Sequence, residues 1–146
     1  MKYVLMDESH IAQIAELEKQ CFSDPWSANS IAAELQNALS LWIVAVDGEK
    51  VVGYAGSQSV MGWSDMMNLA VSYEYRRQGV AERLVNELVD GLRLRNNNCL
   101  TLEVRVSNLP AISLYEKMGF VCVGKRPNYY RNPREDALIL RKEWQL

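Results

Sequence analysis

Tyr75-Arg76-Arg77-Gln78-Gly79-Val80-Ala81 joins two segments whose apolar residues repeat with different periods. Before this stretch, residues 67–71 alternate in the manner of a β-strand. After it, apolar side chains recur at helical spacing, at Val80, Ala81, Leu84, Val85, Leu88, Val89 and Leu92. The chain is therefore predicted to pass from a strand, through a tight basic loop, into an amphipathic helix that ends near Arg95.

The loop has the chemistry of an anion site. The first turn of a helix leaves backbone N–H groups free, and the helix dipole adds positive potential there. Gly79 would let a ligand approach the backbone, Ala81 keeps the first turn slim, and Arg76 and Arg77 add positive charge. We interpret the loop as a pyrophosphate cradle, and the alternative is an ordinary connection with two solvated arginines. A P-loop and a dinucleotide fingerprint are excluded, because no Gly-Lys-Ser/Thr follows and three glycines in register are missing.

Composition predicts one globular domain, residues 1–146. Hydrophobic residues make up 49% of the chain and charged residues 23%. The balance of 16 basic against 18 acidic residues argues against general nucleic-acid binding. No apolar run approaches the roughly 20 residues of a membrane span, and residues 1–7 lack the apolar region of a signal peptide. We therefore expect a cytoplasmic protein with no nucleic-acid or membrane partner.

The cysteines predict neither a disulfide framework nor a metal site. Cys21, Cys99 and Cys122 are odd in number and widely spaced, and His10 is the only imidazole. A zinc site needs more ligands in closer register. We interpret all three as reduced packing residues and expect no metal.

The remaining periodicity predicts a three-layer α/β/α domain with a mixed sheet. A central parallel strand–helix–strand unit should extend from Met67 to Val106. Helices are expected from a cap at Asp7 or Ser9 to about Cys21, after Ser27, after Gly79, and from Asn108 to Gly119. Strands are expected at Lys2–Met6, Leu41–Val46, Val51–Val60, from Gly62-Trp63-Ser64 to Val71, Leu100–Val106, Phe120–Lys125 and Ala137–Leu140, with a loop at Arg126–Asp136.

Several motifs together resemble one family. The chain resembles the GNAT N-acetyltransferases in three motifs: Arg76-x-x-Gly79-x-Ala81, Leu102-Glu103-Val104-Arg105-x-x-Asn108 and Ala111-Ile112-x-Leu114-Tyr115-x-x-x-Gly119-Phe120. More narrowly, it resembles the bacterial ribosomal-protein-alanine N-acetyltransferases in Phe22-Ser23-Asp24-Pro25-Trp26-Ser27, Asn128-Tyr129-Tyr130 and Glu135-Asp136-Ala137. The similarity spans nearly the whole chain, and residues 131–134 are a departure that bears on the acceptor site.

The resemblance implies acetyl-CoA as co-substrate and the N-terminal alanine of a ribosomal protein as acceptor. It makes Glu103 the general base, with or without an intervening water, and Tyr115 the acid that protonates the departing sulfur. CoA contacts are implied for Leu69, Ala70, Val71, Arg76, Arg77, Gln78, Gly79, Val80, Ala81, Glu82 and Asn108. Trp26, Tyr129 and Tyr130 would wall the acceptor groove.

Each role has a structural alternative in the sequence alone. Glu103 could be an exposed strand glutamate beside Arg105. Tyr115 could be a core tyrosine with a hydrogen-bonded hydroxyl, and Asn108 could be a helix cap. Two other functions stay open at this point: acetylation of a small amine or polyamine, and a non-catalytic module that senses CoA.

Overall fold

The computed structural model describes all 146 residues, which form seven strands and four α-helices. In chain order these are β1 (Lys2–Leu5), α1 (Ile11–Cys21), α2 (Ala28–Leu35), β2 (Ser40–Asp47), β3 (Lys50–Val60), β4 (Trp63–Val71), α3 (Val80–Leu94), β5 (Cys99–Arg105), α4 (Leu109–Lys117), β6 (Val121–Tyr130) and β7 (Glu135–Glu143). Short 3-10 turns precede α1 and lie between β4 and α3. No helix is long and apolar enough to cross a lipid bilayer.

The strands form one mixed sheet in the order β1-β2-β3-β4-β5-β7-β6. Only β4 and β5 pair in parallel, which confirms the predicted strand–helix–strand unit around α3. Their pairing covers only Trp63 to Asp65 against Cys99 to Thr101. Beyond that point the two strands pair with their other neighbours but not with each other, and β4 carries a bulge at Met67 opposite β3. Because a bulge bends its strand, it accounts for the way β4 leaves β5.

Helices cover both faces of the sheet, so the predicted three-layer architecture is confirmed. Helices α1 and α2 pack on one face, with a core of ten buried residues that includes Ile14, Ile31 and Tyr54. Helices α3 and α4 contribute to a larger core of 20 buried residues on the other face. The apolar stripe after Gly79 forms much of this second core, as its spacing predicts.

Side chains that the sequence predicts as caps accept backbone N–H groups at the 3-10 turn before α1 and at the starts of α2 and α4. The carboxylate of Asp7 accepts the N–H of Ser9 at 2.8 Å, and the hydroxyl of Ser27 accepts the N–H of Ser30 at 3.1 Å. The amide oxygen of Asn108 accepts the N–H of Ala111 at 3.3 Å. Each cap satisfies a backbone donor that the first turn would otherwise leave free.

The predicted loop at Arg126–Asp136 is wrong at both ends. Strand β6 continues to Tyr130, β7 begins at Glu135, and only residues 131–134 connect them. The polar character of residues 126–136 favours a loop, but β6 is the edge strand of the sheet, where polar side chains and a proline such as Pro127 are tolerated. The ladder is irregular between Arg126 and Tyr130, so that residues 127–129 bulge away from β7.

The cysteine interpretation needs one correction. Cys99 is buried and Cys21 is partly buried, but Cys122 is exposed on β6. Most residues of β6, the edge strand, are exposed. The apolar residues beside Cys122 therefore do not indicate that its thiol is buried. All three thiols are free.

Gly56 is required by the close approach of Trp42 across the β2–β3 ladder. A Cβ at position 56 would lie 2.3 Å from a ring atom of Trp42, which is itself stacked on Tyr54. We expect Gly56→Ala to lower the free energy of unfolding by about 1–3 kcal/mol, as overpacking of a filled core does. Urea denaturation measures this, with Gly124→Ala as the control, because Gly124 has no positive φ and a Cβ there would approach only the end of the Ile139 side chain, at 3.3 Å. An equal or smaller loss for Gly56→Ala would contradict the packing argument.

Candidate active site

A groove opens where β4 and β5 stop pairing. Its volume is about 900 Å³, and residues of both diverging strands line it. The α1–α2 connection closes one side, and β6 with the loop that follows it closes the other. The groove therefore gathers side chains from segments that are distant in the sequence. Those used below are Trp26, Asn68, Leu69, Glu103, Arg105, Tyr115, Arg126, Tyr129 and Tyr130.

Glu103 lies on the wall of this groove that β5 forms. Its side chain is 21% exposed, and its Oε1 lies 3.2 Å from Nε of Arg126. Arg105, which the sequence places beside Glu103 on the same face of β5, pairs with Glu135. Glu103 is thus a largely buried carboxylate facing the groove, and the picture of a fully exposed strand glutamate is wrong.

Tyr115 lines the same groove from α4. Its ring is buried in the larger core and meets Phe120 edge to face, with centroids 5.4 Å apart. No group of the chain hydrogen-bonds its hydroxyl, so the alternative of a core tyrosine with a bonded hydroxyl does not hold. Burial, reinforced by the neighbouring Tyr130, raises the pKa of Tyr115 well above its usual value. The phenol therefore keeps its proton throughout the neutral range.

The three aromatic residues suggested by the sequence also line the groove. Tyr129 and Tyr130 meet edge to face at 5.0 Å, and Trp26 packs against Trp42 at 5.6 Å on the other side. Burial raises the pKa of Tyr130 to about 12, with smaller contributions from Tyr129 and Glu103. The groove is thus walled by neutral aromatic side chains on two sides.

Sequence reasoning missed Glu18, a buried carboxylate that hydrogen-bonds two residues lining the groove, Trp26 and Asn68. It accepts hydrogen bonds from the Tyr54 hydroxyl, from the Asn68 side chain at 2.7 Å and from the N–H of Trp26 at 2.9 Å. Burial, together with the hydrogen bond to Glu18, raises the pKa of the Tyr54 phenol. A signal was present, because Glu18 follows Ile11 and Ile14 on the apolar face of α1.

The basic loop forms a second, adjoining cavity of about 270 Å³. Gly79 has φ +79° and precedes α3 without a side-chain cap. Within the chain, no group accepts the backbone N–H groups of residues 77–82, and the first such bond runs from Arg83 to the Gly79 carbonyl at 3.0 Å. Consecutive free N–H groups at a helix N-terminus are well suited to bind phosphate. The geometry therefore supports the interpretation of this loop as an anion cradle.

The polar side chains of the loop are used in different ways. Nε of Arg76 donates to the Val71 carbonyl at 3.1 Å, which ties the loop back to β4. Gln78 donates to the Glu74 carbonyl at 3.1 Å, and Glu82 pairs with Lys117 at 3.4 Å. Arg77 is exposed and makes no hydrogen bond or salt bridge.

The end of β4 connects the two cavities. Leu69 lines the groove and Val71 lines the loop cavity, whereas the Ala70 side chain packs into the α1–α2 core. On the side of β5, no strand pairs with this part of β4. Asn108 lines neither cavity and acts as the cap of α4.

Comparison with known proteins assigns the family. The model of the acetyltransferase (GNAT) family matches residues 11–120. The chain belongs to this family. The ribosomal protein bS18-alanine N-acetyltransferase of Escherichia coli strain K12 is 36% identical over 126 residues, which are 85% of this chain and 84% of that protein. The protein is accordingly an N-acetyltransferase.

Solved structures agree with this assignment. The crystal structure of the ribosomal-protein-S18-alanine N-acetyltransferase from Escherichia coli is similar with a TM-score of 0.90 and 31% identity, over 99% of this chain and 94% of that one. A chain of the NatC complex bound to Gag peptide and CoA is similar with a TM-score of 0.82 and 25% identity, over 99% and 100% of the two chains.

Proposed function

We propose that this N-acetyltransferase transfers the acetyl group of acetyl-CoA to the α-amine of a protein N-terminus in the cytoplasm, and that the acceptor is the N-terminal alanine of a ribosomal protein. The observation that carries the proposal is the groove between β4 and β5, which both Glu103 and Tyr115 line and which adjoins the anion cradle. The named activity of the Escherichia coli relative supports the choice of acceptor.

The two cavities supply the parts of a CoA site. The free N–H groups of residues 77–82 would bind the pyrophosphate, with Arg77 as an additional cation. The pantetheine arm would use backbone groups of Leu69, Ala70 and Val71, because this part of β4 has no strand partner on the side of β5. The acetyl group would then lie in the groove, and a contact of Asn108 with CoA belongs to the same proposal.

The reaction requires a base, because an α-amine is mostly protonated near neutral pH. It also requires an acid, because the sulfur leaves as a thiolate. Glu103 would accept a proton from the acceptor ammonium, directly or through a water, and the free amine would attack the thioester carbonyl carbon. The C–S bond of the tetrahedral intermediate then breaks, and Tyr115 donates its proton to the sulfur. The second proton, which the nitrogen loses as it becomes the amide, passes to the Tyr115 phenolate directly or through water, so that the phenol is restored. The products are an acetylated N-terminus and CoA thiol. The unbonded hydroxyl of Tyr115 in the groove supports this role.

The acceptor is tested with a panel of amines at fixed acetyl-CoA. We expect the highest kcat/KM for peptides that begin with alanine, and no reaction when the same α-amine is blocked. Polyamines and other small amines serve as the comparison set. A higher kcat/KM for a polyamine would replace the proposed acceptor with a small amine. A non-catalytic CoA-sensing role no longer applies, since the family and the relatives are N-acetyltransferases.

The cradle is tested by comparing two glycines that share the same backbone constraint. Gly79 and Gly48 have φ +79° and +63°, and a Cβ at either would meet no atom within 4 Å. We expect Gly79→Leu and Gly48→Leu each to lose about 1–2 kcal/mol of stability from left-handed strain. At 100-fold over the wild-type dissociation constant, acetyl-CoA should stabilise the wild type and Gly48→Leu by about 2.7 kcal/mol. This gain should vanish in Gly79→Leu, and a retained gain would place the cofactor elsewhere.

A further inference from the structure

The loop between β6 and β7 is attached to β5 by one side chain, that of Arg105. Nη1 of Arg105 donates to the Pro133 carbonyl at 2.9 Å, and Nη2 donates to the Arg131 carbonyl at 3.1 Å. Nη1 also lies 3.2 Å from a carboxylate oxygen of Glu135, whose other oxygen accepts the N–H of Ser107 at 2.8 Å. The guanidinium thus reaches both ends of the four-residue connection.

The same guanidinium also supports the aromatic wall of the groove. It lies 4.3 Å from the ring centroid of Tyr130, within the range of a cation–π interaction. Tyr130 in turn packs edge to face against Tyr129, which sits in the bulged part of β6. Residues 127–129 have no regular ladder with β7, and the other contacts of this part of the wall are the Asn128 N–H donating to Asp136 at 2.8 Å and Arg126 over the Tyr129 ring at 5.8 Å.

We infer that Arg105 is a positioning residue for the acceptor: it holds Tyr129, Tyr130 and residues 131–134 as the wall against which the acceptor chain binds. This inference rests on the proposed function, since it takes the groove as the acceptor site. Arg105 does not act on the reacting atoms, and its effect is transmitted through the wall.

The planar guanidinium is what this role requires. Two carbonyls, a carboxylate and an aromatic face are contacted from one flat group, which an ammonium on a flexible stem cannot reproduce. Lysine would keep the charge near the groove but lose the fork and the stacking. Arg105→Lys and Arg105→Met are therefore expected to behave alike, and this separates positioning from simple charge.

The test combines steady-state kinetics with hydrogen exchange on the full chain. For both Arg105 variants, we expect the acceptor KM to rise by between about tenfold and 100-fold, as misplacement of a binding wall does. The acetyl-CoA KM and kcat should stay near wild type, and amide exchange of residues 127–134 should become faster in the unliganded protein. Arg141→Met is the control, because Arg141 also stacks on a ring, that of Trp63, and donates to Thr101 of β5.

Three results would overturn the inference: unchanged exchange at residues 127–134, an unchanged acceptor KM, or full rescue by lysine. An equal rise of the acceptor KM in Arg141→Met would also overturn it, as a general effect of sheet damage. If the wild type acetylates a polyamine and no peptide, the proposed acceptor is wrong. The KM for that amine, together with the exchange of residues 127–134, then still decides the role of Arg105.

Discussion

Glu103→Gln is expected to bind acetyl-CoA normally and to turn over about 10²–10⁴-fold more slowly, the usual range for a lost general base. The amide cannot accept the proton of the acceptor ammonium, although it fills the same space beside Arg126. The residual rate should rise with pH, because a growing fraction of the acceptor amine is then free without a base. Steady-state assays between pH 6 and 9 measure both effects.

Glu116→Gln provides the matched control for this substitution. Glu116 is an exposed glutamate of α4, next to Tyr115 in the sequence, and its carboxylate has no partner in the chain. Its turnover should equal that of the wild type. If Glu103→Gln also turned over at the wild-type rate near neutral pH, Glu103 would not be the base.

Tyr115→Phe is expected to slow acetyl transfer strongly while leaving the fold and CoA binding intact. The substitution removes one hydroxyl that makes no hydrogen bond in the chain and keeps the ring packed on Phe120. Loss of an acid catalyst costs about 10²–10⁴-fold, and we expect the lower part of this range because water can also protonate a thiolate. Single-turnover transfer and the melting temperature should be measured on the same preparation. Tyr3→Phe is the control, because Tyr3 is a partly buried tyrosine that packs against the same core and its hydroxyl is also unbonded.

The pH dependence gives this prediction a second readout. Burial raises the pKa of Tyr115, so the protonated, donating form persists above pH 10. The stability that the neutral phenol contributes is fully present below about pH 10, where the unfolded phenol ionises, and is lost as the pH rises above it. The wild-type rate should therefore show no decline from Tyr115 below about pH 10, the usual phenol value. Normal transfer by Tyr115→Phe would remove Tyr115 from the mechanism, and a decline assigned to Tyr115 near neutral pH would contradict its raised pKa.

The features predicted well from the sequence are those with local causes. The change of period at Gly79 and the three capping residues depend on neighbours within a few positions, and the structure confirms them. The parallel β4–α3–β5 unit follows from the same local pattern, combined with the general rule for such connections.

The groove was predicted only through the family resemblance, because periodicity does not show where two strands stop pairing. The bulge at Met67 has no glycine or proline to mark it. Glu103 and Tyr115 each fitted a structural role when read separately, and only the divergence of β4 from β5 places them in one cavity. Their catalytic roles remain predictions that the kinetic tests above decide.

Two further features depended on distant partners. Glu18 has an acidic side chain on an apolar helix face, but its partners Tyr54 and Asn68 lie 36 and 50 residues further along the chain. The predicted strand β6 ended at Lys125, because the residues that follow are polar and include Pro127. A strand that is paired on both sides does not tolerate proline. The place of β6 at the edge of the sheet removes that restriction, and this place is a property of the whole topology.

The site of acetylation on a single peptide is the measurement that tests the account most directly. The peptide should begin with a free alanine and carry an internal lysine, so that one molecule offers both an α-amine and an ε-amine. After reaction with acetyl-CoA and the wild-type protein, fragment masses locate the acetyl group. The account predicts acetylation of the alanine α-amine alone, with at least about 100-fold less product from Glu103→Gln over the initial-rate period. Acetyl groups on the lysine, or an unmodified peptide beside an acetylated polyamine, would contradict it.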